Sequence, residues 1–211
     1  MVDDIVLSPE EQDERAKQWL KDNGPAIVIG VLLGLGAIFG YNQYQDRQKQ
    51  NAEAASLLYE QALSTIQRSS IADIQSMVAA LKTDHASSTY AHKAVLLRAR
   101  QLSASDLPAA LQELRWVSDH ASESGVLHAS QIRQAKILMA QGELDAAKTV
   151  AETKPYNGFD SYYHEILGDI ALQQQTSADA RAHYQSAIDS LGATETSYKS
   201  ILTLKMNRLH N

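Results

Sequence analysis

The chain predicts an all-α fold in which a single N-terminal transmembrane helix is followed by an α-solenoid. Three observations carry this. Residues 24–44 read GPAIVIGVLLGLGAIFGYNQY, and no charged residue occurs between Asp22 and Asp46. Beyond Tyr44, apolar side chains recur at steps of three and four, and no window alternates as a half-buried strand would. Two segments of that helical region repeat one another at a spacing of 33 residues.

As a helix, residues 24–44 would be about 31 Å long at ~1.5 Å per residue, which matches a hydrocarbon core of about 30 Å. Trp19 precedes the stretch, and Tyr41 and Tyr44 close it, the places where aromatic rings sit at the two headgroup levels. A cleaved signal peptide fits poorly. The apolar run is too long, an acidic segment stands where a short basic one belongs, and the A-x-A triplet Ala52-Glu53-Ala54 lies well beyond the run inside a helical pattern. The expected division is a cytoplasmic tail with a short helix at 1–23, a transmembrane helix at 24–44 and a helical-repeat domain at 45–211. Three basic residues before the span and two (Arg47, Lys49) close behind it give a slight preference for a cytoplasmic N-terminus.

In the tail, Ser8-Pro9-Glu10-Glu11 reads as a helix start, with Ser8 as cap, Pro9 in the first turn and Glu11 closing a capping box. That helix is expected to end at Asn23-Gly24-Pro25, where a second helix opens. Within the span, Ala26, Gly30, Gly34 and Ala37 share one side, where small residues let a neighbouring helix approach. The same glycines do not make a dinucleotide site, because Phe39 occupies the third glycine position and no strand with an acidic end follows.

After the span, Ala55, Leu58, Tyr59, Ala62, Leu63 and Ile66 form one apolar stripe, and Ile71, Ile74, Met77, Val78 and Leu81 a second. In residues 161–192, Leu167, Gly168, Ala171, Ala180, Tyr184 and Ala187 match the spacing of a tetratricopeptide repeat, which places small residues where two antiparallel helices cross. Upstream, Ala135, Leu138, Gly142, Ala147 and Ala151 fall in the same register, with Gly142 at the turn. A worn third copy uses Leu97, Ala99 and Leu102, then Ala110, Leu114 and Val117, with about two residues lost at Ser103-Ala104-Ser105-Asp106. The stretch from Thr194 to Leu209 reads as the helix that covers the last repeat, and the 55–66 helix as the cover at the other end.

Composition narrows the function. Residues 1–23 carry three basic against seven acidic side chains, and 45–211 carry 16 against 18, so neither part offers the cationic surface that nucleic acid requires. The absence of cysteine removes disulfides and thiolate metal sites. Seven histidines are scattered without metal-ligand spacing, and no nucleophile motif or phosphate loop occurs. No catalysis, cofactor or metal is expected. What remains is a binding surface on the concave side of the solenoid, built from the first helix of each repeat. Those helices supply Arg98, Arg133, Tyr162 and His164, with Phe159 in the preceding turn; Tyr and Arg are the residue types favoured as contact anchors.

Glu11-Gln12, Lys17-x-Trp19, Asn23-Gly24 and the Gly-spaced span, followed by a Gln-rich exit, the run from Ala55 to Tyr59 and the worn repeats, resemble the YfgM family, the ancillary subunits of the SecYEG translocon. The resemblance implies a single-pass protein of the bacterial inner membrane, N-terminus in the cytoplasm and a tetratricopeptide-repeat-like α-solenoid in the periplasm. It also implies three partners: SecYEG, a PpiD-like membrane-anchored chaperone, and unfolded secretory polypeptides. An envelope scaffold that joins other membrane proteins through repeat contacts is the alternative of the same class. A tethered hydrolase, the enzymatic alternative, has no supporting motif.

Overall fold

The computed structural model describes residues 9–67, 71–192 and 194–210, and among these every regular element is a helix. Ser8, expected as a cap, and the side chains of Ile66, Ile71 and His210 lie outside the described residues. The chain forms two compact units that divide between Asn51 and Ala52.

Helix α1 runs from Pro9 to Gln67 without interruption, so the expected break at Asn23-Gly24-Pro25 is corrected. The physical reason is the modest local cost of the break residues. Pro25 lacks an N–H, which costs the backbone bond to the Lys21 carbonyl, but that carbonyl lies at the polar edge of the apolar stretch, where solvent can supply a donor. The Asn23 side chain donates to the Trp19 carbonyl at 2.8 Å and so serves the turn from within. Gly24 simply adopts helical geometry. The same helix takes in the segment expected as a separate 55–66 helix.

From residue 24 to 44 the large apolar side chains of α1 are all exposed, from Ile27 at 43% to Phe39 at 73%. A core helix of a soluble protein would be covered on one face, so this stretch is not one; it is long and apolar enough to cross a membrane. Past Ala52 the helix changes character. Ala55 and Ala62 are fully buried, and Leu58 and Tyr59 pack with Ile74, Val78 and Leu81 of α2 (Ile71–Asp84).

Three helical hairpins follow. They are α3 (Thr89–Leu102) with α4 (Leu107–His120), α5 (Ser124–Ala140) with α6 (Leu144–Ala151), and α7 (Asp160–Gln173) with α8 (Ser177–Asp189). Ser88 caps α3 by accepting from the Tyr90 N–H at 3.2 Å, and Asp106 caps α4 by accepting from the Ala109 N–H at 3.0 Å. The α3–α4 turn is not shortened as expected: residues 103–106 separate these helices, against three residues at each of the other two turns. Helix α9 (Thr196–Asn207) packs on α8 and continues as a 3-10 turn to His210.

The 33-residue period is also present in the backbone. Gly142, at φ +81°, ends α5, and the Glu143 N–H returns to the Leu138 carbonyl at 2.9 Å. Gln175, at φ +62°, stands 33 residues on, and the Thr176 N–H returns to the Ala171 carbonyl at 2.9 Å. One turn is thus built twice, the second time with a side chain where glycine is favoured. Ala99, Ala110, Ala135, Ala147, Ala151, Ala180 and Ala187 are buried where the helices cross, along with Leu167, Ala171 and Tyr184. Gly168 is the tightest of the glycine positions, because a Cβ there would stand 2.6 Å from Tyr184 Cε1.

Candidate interaction surface

Successive residues on a helix point about 100° apart, and α7 shows what that does to its aromatic start. Tyr162 is 37% exposed and stacks on Tyr198 of α9, with ring centroids 5.1 Å apart. Tyr163 is fully buried and stacks on Tyr156 at 4.6 Å. His164 turns toward α8 and stacks on His183 at 5.8 Å. Phe159, in the turn before α7, lies on the ring of His128 at 4.7 Å. Of the expected contacts, then, Tyr162 is on the open face, while Phe159 and His164 are partly covered.

The two expected arginines do not meet. Arg98 donates through Nε to Glu113 Oε1 at 3.1 Å, and Lys82 holds the other oxygen of that carboxylate at 2.8 Å, which ties α2, α3 and α4 together. Arg133 lies on α5, with Nη1 donating to the Ala129 carbonyl at 3.1 Å. The arginine beside Arg133 is Arg100, two residues beyond Arg98 and therefore about 200° round α3. The two, with Lys136, rim a cleft of about 230 Å³ between α3, α4 and α5.

A second polar group was not anticipated. Lys205 of α9 places its ammonium 2.8 Å from Glu165 Oε1 and 2.7 Å from Asp169, both carboxylates on α7. Tyr198 donates to Glu165 Oε2, and Tyr184 donates to Asp169 Oδ1, each at 2.7 Å. Burial pushes the Glu165 carboxyl upward, but the hydrogen bonds from Lys205 and Tyr198 overcome it and hold the group below the usual carboxylate range. Burial, reinforced by the neighbouring carboxylates, drives the Tyr184 and Tyr198 phenols far above theirs. The α9 partners of Glu165 and Asp169 lie 33 to 40 residues from them, so only a repeat register known in advance would have paired them.

His128 is buried at the α5–α7 contact. Tyr163 donates its hydroxyl proton to Gln131 Oε1 at 2.8 Å, so the 2.7 Å contact between His128 Nδ1 and the same hydroxyl requires the imidazole to donate. Nε2 then accepts from Asn157 Nδ2 at 3.4 Å, and the ring is neutral. Burial lowers the pKa of His128, as it does those of His92, His164 and His183, with His183 adding to the effect on His164. These four rings favour the fold in their neutral form. In the unfolded chain they take up protons near about pH 6.5, so the stability they support is complete above that value and is lost as pH falls toward the lower folded values. The melting temperature of the full chain in detergent, followed by circular dichroism, should therefore drop between about pH 7.5 and about pH 5.5. An unchanged melting temperature would contradict the assignment.

On α1, Ala26, Gly30, Gly34 and Ala37 are exposed, and a Cβ added at Gly30 or Gly34 would meet nothing within 4 Å. Among the described residues no group of three or more His, Asp and Glu could hold a metal ion.

The chain is 28% identical over 202 residues to the "Ancillary SecYEG translocon subunit" of Aggregatibacter actinomycetemcomitans, which covers 95% of this chain and 97% of the relative. It is 24% identical to the proteins of that name in Escherichia coli (strain K12), over 98% of both chains, and in Haemophilus influenzae, over 97% of this chain and all of the relative. No solved structure matches it. The resemblance read from the N-terminus, span and repeats is thus met by relatives that run its full length. The family described as "Tetratricopeptide repeat-like domain" matches residues 17–211, and the chain belongs to it.

Proposed function

We propose that this protein is a non-catalytic accessory subunit of a SecYEG-type translocon, anchored by residues 24–44, whose repeat domain engages emerging secretory polypeptides or a PpiD-like chaperone. The observation that carries the reading is the pairing of an uncovered apolar helix of bilayer length with a helical-repeat domain, in a chain similar end to end to proteins named as ancillary translocon subunits. In this reading the N-terminus lies in the cytoplasm and the repeats in the periplasm, as the slight excess of basic residues before the span favours. The span holds the repeats near the channel exit and so raises their effective concentration at emerging chains, without needing tight binding. The face with Ala26, Gly30, Gly34 and Ala37 is the contact to a neighbouring membrane helix, and Tyr162 and Arg133 are contacts of the repeat domain.

Photocrosslinkers at Gly34 and at Tyr162, activated in intact membranes, test this. Gly34 should yield adducts with channel subunits, and Tyr162 adducts with nascent chains or the chaperone. Absence of adducts from both positions would sink the proposal, and complete extraction of the protein by alkali would overturn the anchor.

A further inference from the structure

The cleft between α3, α4 and α5 has a composition that stands apart from the rest of the chain. Its floor is apolar, made by Ala99, Leu114 and Ile137, and its rim carries Arg100, Arg133 and Lys136, with the Ser103 hydroxyl beside them. No carboxylate lines it, although the chain has 25 acidic residues against 19 basic ones. Both arginines are exposed, and neither takes part in an ion pair among the described residues. Lys136 lies 3.9 Å from Glu165 with over half its side chain exposed, a loose contact that leaves it free to swing. Arg98 and Lys82 are by contrast both paired with the Glu113 carboxylate. Two arginines without a matching acid, with Lys136 only loosely paired beside them, leave a local positive potential on a chain of net charge −6.

The size of the cleft limits what fits. At about 230 Å³ it is smaller than the ~300–1,000 Å³ of ordinary small-molecule sites, yet large enough for one bulky apolar side chain. A bare anion would gain nothing from a floor of Leu114 and Ile137. A carboxylate pairs with a guanidinium through two parallel hydrogen bonds, and two arginines on facing helices can serve acids on either side of a seated apolar residue.

We propose that this cleft captures an acidic polypeptide segment, seating one apolar side chain on Leu114 and Ile137 while Arg100, Arg133 and Lys136 pair with flanking carboxylates. This rests on the reading that the repeat domain engages extended polypeptide, and it names the chemistry of the segment that is engaged.

The test uses the full chain in nanodiscs and fluorescein-labelled peptides followed by anisotropy. A peptide alternating leucine and aspartate should bind, and its affinity should fall as salt is raised. Peptides with lysine for aspartate, or serine for leucine, should bind at least about tenfold more weakly, a loss expected when a charge pair or an apolar anchor is removed. Arg100→Glu with Arg133→Glu should abolish binding of the acidic peptide and create binding of the lysine one. Arg115→Glu, the same charge change outside the cleft, should do neither. Equal binding of the aspartate and lysine peptides, or indifference to the double reversal, would overturn the proposal. Undiminished binding of the serine–aspartate peptide would also overturn it, since the site would then be a plain anion site. The Gly34 crosslinks to the channel do not involve this cleft, so they can persist where the peptide result fails.

Discussion

Replacing Gly168 with alanine is expected to destabilise the repeat domain by about 3 kcal/mol, and replacing it with valine to prevent folding. The added Cβ would stand 2.6 and 2.7 Å from Tyr184 Cε1 and Cδ1 and 3.1 Å from Cζ, distances at which the ring must move. The ring has little freedom to do so. Tyr184 is fully buried, and its hydroxyl is held by Asp169 at 2.7 Å. Against a total stability of ~5–15 kcal/mol, such a loss removes a large part of the margin. Urea unfolding of the full chain in detergent, followed by circular dichroism, reads it directly. Gly125, where an added Cβ meets nothing within 4 Å, supplies the control, and Gly125→Ala should leave the midpoint nearly unchanged. Equal midpoints for the two alanine variants would mean that the α7–α8 crossing tolerates the methyl group.

Lys205→Met should have the next largest effect, a loss of about 2–3 kcal/mol. Its ammonium serves two carboxylates, and Glu165 is left with the Tyr198 hydroxyl and the distant Lys136. The loss falls short of the ~3–5 kcal/mol of a fully buried pair, because Lys205 and Asp169 keep about a quarter of their side-chain surface in solvent. The sign of the pH dependence separates this from a packing defect. In the native protein Glu165 has a lowered pKa, so its contribution is present above the ordinary carboxylate value and is lost as pH falls through the folded one. Without Lys205, burial dominates and the pKa rises, so acidification relieves the variant by protonating Glu165. The destabilisation should therefore shrink as pH is lowered toward about 4. Adding Glu165→Gln to Lys205→Met should recover part of the loss at neutral pH. A penalty independent of pH would show that the methylene stem, and not the charge, matters.

Much of the architecture was written locally. Residues 24–44 are legible as a stretch long and apolar enough to cross a membrane because hydropathy and length are properties of the segment itself. The small residues Ala135, Ala147, Ala171 and Ala180, with Gly168, declare the repeat because a close helix crossing excludes anything larger. The turn at Gly142 was legible because glycine is the residue that adopts a positive φ freely, whereas its counterpart at Gln175 was not, since glutamine carries no sign of a positive φ.

The surface chemistry was less legible. A helical face is assigned from its apolar residues, and two arginines separated only by Ala99 give no local sign of which one has an acid beside it. Arg98 is paired because α4 brings Glu113 against it, and Arg100 is left open because it points about 200° away. The Glu165–Asp169–Lys205 cluster and the neutral His128 each depend on partners about a full repeat distant. The break expected at Asn23-Gly24-Pro25 misread two residues that end helices only where the chain has somewhere else to go; here the apolar run continues beyond them. By itself the sequence determined the class of fold, the span and the repeat register, because each follows from the volume or polarity of neighbouring side chains. Only the tertiary structure decided which charges are paired and which remain available, because that depends on the helix that packs alongside.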